Sequence, residues 1–265
     1  MLELKSDGAL EIPIVFHCNL NCNYCAHMSP YMANVPMIPI NDVELQCKSW
    51  YQRIAPKVIR IIGGEPLLHP HIAEIVVIIS QYWNTIPIDI VTNGLRINQL
   101  PTSVFDVVRM RNVRFKITIH SPLLKRKLTS LLEHTKCNGY FIDSSKDGAF
   151  IKYYTIENGI PKLHVNDSQT AYNKCYNKHK CHELMDNQLY HCSVLPYFRK
   201  AQEYGVINDE RVLDYQPATV EMSDQELIEW YNSDFSSVCT VCPAIHSTIK
   251  SQDKWNDFRK ILQVN

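Results

Sequence analysis

The stretch Glu11-Ile12-Pro13-Ile14-Val15-Phe16-His17-Cys18-Asn19-Leu20-Asn21-Cys22-Asn23-Tyr24-Cys25 decides how this chain is read. Glu11 to Phe16 is a largely apolar run and reads as a β-strand. Three cysteines follow at once in a C-x3-C-x2-C spacing. A short loop with three thiols can wrap three corners of a cubic four-iron, four-sulfur cluster, whereas ordinary clusters of that type take four thiolates. One iron is then left without a protein ligand, and an open coordination position is what metal chemistry needs. A competing reading takes Cys22 and Cys25 as half of a structural zinc site completed by Cys239 and Cys242, also a C-x2-C pair. It leaves Cys18 unexplained.

A chain of 265 residues suffices for one large domain, or a medium one with a small appendage. Lysine plus arginine and aspartate plus glutamate are both 27, so no overall field draws nucleic acid or an anionic membrane. The start, MLELKSDG, lacks the basic and apolar segments of a secretory signal, and no run approaches the ~20 apolar residues that cross a bilayer. The expectation is a cytoplasmic protein with neither nucleic-acid nor membrane partners. Ten cysteines are poorly explained by disulfides in a reducing compartment, and metal or cluster ligation explains them better.

Strand-like and helix-like segments alternate up to about residue 145, which predicts an α/β fold of parallel β/α units. After the first strand, a helix N-capped by Asn41 is expected to turn Val43, Leu45 and Trp50 inward. Val58 to Ile62 reads as the second strand, 72–83 as a helix, Ile88 to Thr92 as the third strand, and a helix follows Pro101. Val113 to Ile119 reads as the fourth strand, 121–132 as a helix, Tyr140 to Ile142 as a fifth strand and Phe150 to Thr155 as a sixth. Functional groups of β/α barrels gather at the C-terminal strand ends. Here the cysteine loop follows the first strand, Gly63-Gly64-Glu65-Pro66 the second, Asn93-Gly94 the third and His120-Ser121 the fourth. Singly, Gly-Gly and Asn-Gly are ordinary turn dipeptides; four strand ends aimed at one rim are harder to attribute to turns.

Together, the cysteine loop, Gly-Gly-Glu-Pro and Thr92-Asn93-Gly94 resemble the signature of the radical S-adenosylmethionine (SAM) superfamily over roughly the first 125 residues. The resemblance implies that Cys18, Cys22 and Cys25 hold a four-iron cluster whose free iron chelates SAM. It also implies that Gly63, Gly64, Glu65 and Pro66 line the SAM site, with Glu65 accepting from the SAM ammonium. Tyr24 would lie near adenine, Asn93 near the carboxylate or ribose, and His120 and Ser121 near the ribose. The implied fold is a partial (β/α)6 barrel over residues 1–165.

Five more cysteines, Cys175, Cys181, Cys192, Cys239 and Cys242, stand late in the chain. Between Cys181 and Cys192, an Asp186-Asn187 centre flanked by Leu184 and Leu189-Tyr190 reads as a β-hairpin. The pattern resembles the SPASM or "twitch" extension of radical SAM enzymes, over residues 166–250 with a C-terminal helix at 251–265. That resemblance implies a second, auxiliary four-iron cluster on Cys175, Cys192, Cys239 and Cys242. Cys181, facing Cys192 across the hairpin, is an alternate ligand. Asn187 departs from the family's usual glycine but tolerates the left-handed conformation. A zinc site without redox role is the alternative. Ser223-Asp224-Gln225-Glu226 has the form of a capping box.

The expected activity is that of a radical SAM oxidoreductase: reductive cleavage of SAM to a 5'-deoxyadenosyl radical, hydrogen abstraction from a small polar, sugar- or aminocyclitol-like substrate, and a two-electron oxidation. An external one-electron reductant, such as flavodoxin or ferredoxin, would be a partner. Alternatives are an epimerase, with Cys181, Cys137 or Cys47 as hydrogen donor, a peptide-modifying enzyme, or a non-catalytic zinc-stapled module. His191, Tyr197, Arg199 and His246 are the unranked candidates for handling the substrate.

Overall fold

The computed structural model describes residues 1–111, 113–118, 128–129, 142–145, 150–177, 180–233, 237–245 and 247–249. Strands β1 (Ala9–Val15), β2 (Val58–Gly63), β3 (Ile88–Thr92), β4 (Arg114–Thr118) and β5 (Ile142–Ser145) lie side by side in chain order, all parallel. Parallel neighbours need a long crossover. Helices α1 (Ile40–Trp50), α2 (Ile72–Tyr82) and α3 (Thr102–Met110) supply the first three. Most of the expected 121–132 helix, Tyr140 and the 251–265 helix lie outside the described residues.

The sixth parallel strand comes from elsewhere. Phe150 to Thr155 splits into β6 (Phe150–Ile151) and the start of β7 (Tyr154–Glu157), and neither joins the main sheet. Asn158 and Gly159 both have positive φ, 50° and 81°. This is the tight turn that folds β7 back on β8 (Ile160–Leu163) as an antiparallel hairpin. The free edge of β1 is taken instead by β9 (Cys181–Met185), which runs parallel to it, and β9 turns at Asp186-Asn187 into the antiparallel β10 (Gln188–Tyr190). Both turn residues are left-handed, φ 52° and 58°, so the expected hairpin is present. Helices α4 (Ser168–Lys174), α5 (Leu195–Glu203) and α6 (Asp224–Asn232) complete the C-terminal part, with the Ser223–Glu226 capping box formed at the head of α6. β11 (Thr248–Ile249) returns to pair with β6.

Ile12, Ile14, Ile59, Ile61, Ile90, Phe115 and Ile117 are fully buried, in one core with Val43, Trp50, Ile75 and Ile79 of the helices. The inward stripe of α1 is Val43, Gln46, Cys47 and Trp50, the i, i+3, i+4, i+7 set of a helix face. Leu45 falls off that stripe and is 53% exposed, contrary to expectation. One row across the sheet is charged. Glu183, Glu11, Arg60, Asp89 and Arg114 stand in successive register on five strands, with Arg60–Glu11 at 3.3 Å and Arg114–Asp89 at 2.5 Å.

Candidate cluster and cofactor site

The C-terminal ends of β1 and β2 are locked together by backbone alone. The Gly64 N–H donates to the Val15 carbonyl (2.7 Å) and the Glu65 N–H to that of His17 (3.0 Å). This approach requires glycine: a Cβ on Gly63 would stand 2.1 Å from the Val15 oxygen, and one on Gly64 1.9 Å from the His17 oxygen. The two glycines thereby fix the residue that precedes Cys18.

Glu65 ties in the third strand end. It is fully buried; Oε1 accepts from Thr92 Oγ1 (2.6 Å) and the Leu67 N–H (3.1 Å), and Oε2 accepts from the Asn93 N–H (2.9 Å). Burial pushes its carboxyl above the ordinary range, while those hydrogen bonds and the Arg96 charge pull the other way. The geometry makes Glu65 a clamp between two loops. Asn93 then reaches the cysteine loop, its Nδ2 donating to Asn19 Oδ1 at 2.7 Å and lying 3.7 Å from Cys18 Sγ.

Cys18, Cys22 and Cys25 line one cavity of about 180 Å³ with Gly63, Gly64, Thr92 and Asn93. Burial above all, then the Glu65 carboxylate, pushes the Cys18 thiol well up, so it stays protonated unless a metal displaces the proton. Pro66 is buried at the start of a short 3-10 turn, Pro66–Leu68. Tyr24 has a left-handed backbone, φ 58°; its ring packs on Tyr154 at 5.7 Å, with Lys152 Nζ 5.0 Å from its centre. His120 and Ser121 lie outside the described residues.

The same cavity is lined by residues that the sequence reading did not assign to a site, including His27, Ser29, Thr118 and Phe150. His27 donates from Nδ1 to the Gly63 carbonyl (2.5 Å) and stacks on Tyr197 at 4.4 Å. Burial lowers its pKa and favours the neutral ring. Thr118 ends β4 and was legible from strand alternation; Phe150 was not, because β6 is held by β11 some hundred residues on.

A second cavity is lined by Cys175, Cys192, Cys239 and Cys242, with His191 and Tyr215. Cys175 caps α4, Cys192 follows β10, and Cys239 and Cys242 stand on or just after the turn Ser237–Val241. Asn166 pins that turn, donating from its N–H to the Thr240 carbonyl (3.0 Å) and from Nδ2 to that of Cys242 (2.9 Å). Burial pushes the Cys192 thiol up to about 12, its neighbour Cys175 adding to the effect. Cys22/Cys25 and Cys239/Cys242 thus line different cavities, which argues against the single zinc site that would join them. Among the described residues, no three His, Cys, Asp or Glu side chains form a group able to hold one metal ion.

Cys181 pairs in register with Ala9, about 20 Å along β1 from its C-terminal end at ~3.3 Å per residue. The hairpin ladder runs from Met185/Gln188 to Glu183/Tyr190, short of the expected Cys181–Cys192 pair. Cys47 is fully buried in α1, its thiol pushed up to about 12 chiefly by burial. Tyr197 is buried against His27, and Arg199 donates to the Tyr215 carbonyl (2.6 Å). Cys137 and His246 lie outside the described residues.

Three thiols at the end of the first strand of a parallel β/α sheet, closed over by two further strand-end loops, define a class of cluster-binding barrel. The Radical SAM superfamily model matches residues 12–147, and the chain belongs to that superfamily. Membership makes it a catalytic protein and implies a four-iron, four-sulfur cluster and SAM. The residues present suit both: a three-thiol donor set beside an open cavity, and a glycine-rich wall without side chains. Among curated proteins, GTP 3',8-cyclase of Microcystis aeruginosa is 28% identical over 100 residues, 37% of this chain and 30% of that protein. The Campylobacter jejuni subsp. doylei GTP 3',8-cyclase is 33% identical over 87 residues, 32% of this chain and 27% of that one. The chain therefore spans less than a third of the length of these relatives. Among solved structures, BtrN in complex with AdoMet and 2-DOIA overlaps with a TM-score of 0.45 at 15% identity, covering 92% of this chain and 99% of that one. Streptococcus suis SuiB bound to precursor peptide SuiA gives 0.41 at 13%, covering 89% and 70%. No helix among the described residues is long and apolar enough to cross a membrane.

Proposed function

We propose that this chain is a radical SAM oxidoreductase that removes two electrons from a small polar substrate, of the sugar or aminocyclitol kind, and that it holds a second four-iron cluster on Cys175, Cys192, Cys239 and Cys242. The observation that carries the reading is the second cavity, where three separate segments of chain converge four thiols. When bound, the first cluster and SAM supply a 5'-deoxyadenosyl radical that takes a hydrogen atom, and the second cluster supplies an electron acceptor. The protein's own part is positional. Glu65 and the two glycines hold the cysteine loop, Asn93 braces it through Asn19, and His27, Thr118 and Phe150 shape the space beside the thiols. Oxidation is favoured over epimerisation because the latter needs a hydrogen donor, and of the candidate thiols among the described residues Cys47 sits in the core while Cys181 stands toward the opposite end of β1.

The test is iron content and product. Anaerobically reconstituted parent should carry about eight irons and the Cys239→Ser/Cys242→Ser double variant about four, as two four-iron clusters require. About four in the parent, or zinc in place of iron, refutes the second cluster. An oxidised product lacking two hydrogens supports the dehydrogenase; solvent deuterium in a product of unchanged composition supports the epimerase instead. An external one-electron donor, flavodoxin- or ferredoxin-like, belongs to the same proposal.

A further inference from the structure

Tyr154, at the start of β7, is completely buried, yet its hydroxyl has no hydrogen-bond partner among the described residues. A buried hydroxyl left unpaired is costly, so an acceptor that arrives with a bound group would satisfy it. The ring is fixed from two sides, tilted against Tyr24 at 5.7 Å and edge-on to Tyr31 at 6.2 Å. Tyr24 lies inside the cysteine loop and Tyr31 on the 3-10 turn Ser29–Tyr31 that follows it, so Tyr154 packs against that loop. Burial first, then Cys25, with Tyr31, Tyr24 and Cys22 adding smaller parts, pushes this hydroxyl's pKa up. Tyr154 does not line the first cavity.

We propose that the Tyr154 hydroxyl donates a hydrogen bond to the cluster edge held by Cys25 and sets that cluster's reduction potential. The inference rests on the radical SAM reading of the cysteine loop. Reduction adds negative charge to the cluster, and a donor aimed at its sulfur stabilises the reduced form more than the oxidised one. Tyr154 is a positioning residue in this sense: it acts through the cluster and touches no substrate.

The experiment is an EPR-monitored redox titration of the reconstituted full chain without SAM, comparing parent, Tyr154→Phe and Tyr31→Phe. The relevant cluster is identified as the one whose signal changes when SAM is added afterwards. Tyr154→Phe should bind as much iron as the parent and show a reduced-to-oxidised ratio about tenfold lower at fixed poise, a midpoint about 59 mV more negative for one electron. Tyr31→Phe should titrate with the parent. A parental midpoint for Tyr154→Phe overturns the proposal. So does a shift seen only with SAM present, which would assign the hydroxyl to the nucleotide. If the phenylalanine variant fails to take up iron, 3-fluorotyrosine placed at position 154, a stronger donor, must move the midpoint positive; no shift, or a negative one, is equally fatal. Failure of the parent to bind any cluster at Cys18, Cys22 and Cys25 sinks the superfamily reading of the loop itself, whereas a bound cluster with an unmoved potential sinks this inference alone.

Discussion

Replacing Gly64 with alanine places one methyl group where the backbone of the cysteine loop already stands. The added Cβ would lie 1.9 Å from the His17 oxygen, 2.3 Å from its carbon and 2.8 Å from the Phe16 oxygen, and real Cβ contacts essentially never fall under 3.0 Å. All of those atoms are backbone, so no side chain can swing aside, and the ends of β1 and β2 must part by more than an ångström. Parting them breaks the Gly64–Val15 and Glu65–His17 hydrogen bonds, at about 1 kcal/mol each, and adds overpacking strain of about 1–3 kcal/mol. The expected loss is therefore about 3–5 kcal/mol in chemical denaturation of the apoprotein, together with loss of iron at the first site, because His17 precedes Cys18. Gly159→Ala is the control. Its Cβ would meet nothing within 4 Å, but its φ is +81°, so it should cost only about 1–2 kcal/mol for the left-handed backbone and leave iron binding intact. A Gly64→Ala protein as stable as the Gly159→Ala control, with normal iron at the first site, would refute the close approach on which the site is built.

Three further outcomes follow from particular contacts. Glu65→Ala leaves Thr92 Oγ1 and the Asn93 and Leu67 N–H groups without their acceptor; it should cost about 3 kcal/mol or more and lower SAM affinity by loosening the Asn93 loop, read by calorimetry on the iron-loaded protein. Asn187→Gly relieves a left-handed φ of 58° at the hairpin turn and should stabilise by about 0.5–1 kcal/mol, raising Tm by about 1–4 °C; an unchanged or lower Tm counts against the turn geometry. Burial, reinforced by Glu11, pushes the Glu183 carboxyl well above its ordinary range. Above the unfolded value, near 4.3, the native state holds the proton that the unfolded chain releases, so this group's contribution to stability falls as pH rises, by up to about 1.4 kcal/mol per pH unit. Glu183→Gln should remove that slope, its stability relative to the parent rising as pH rises above about 5; parallel stability curves would show that Glu183 is ionised in the fold.

Local order spoke plainly in the amino acids. Apolar runs ending in Cys18, Gly63 and Asn93 announced strands with functional ends, because a strand buried on both faces reads as a continuous hydrophobic stretch and the polar residues that break it mark the rim. Asp186-Asn187 announced its hairpin because few side chains accept a left-handed turn. The spacing of Cys18, Cys22 and Cys25 set three thiols within one short loop, where proximity needs no fold at all.

What the tertiary structure alone decided is which distant segments meet. The edge of β1 was filled by β9 and not by the stretch after residue 150, since edge pairing is set by where a later hairpin docks, which no local pattern encodes. The charged row from Glu183 to Arg114 exists only through the register of five strands. Glu65 became a clamp through Thr92 and Asn93, and Tyr154 came to rest against Tyr24 across some 130 residues of chain. Cys175 came to line the second cavity through the position of α4 against the turn that carries Cys239. Residue chemistry is written one position at a time, whereas a site made of converging segments depends on packing distances that only the folded chain defines.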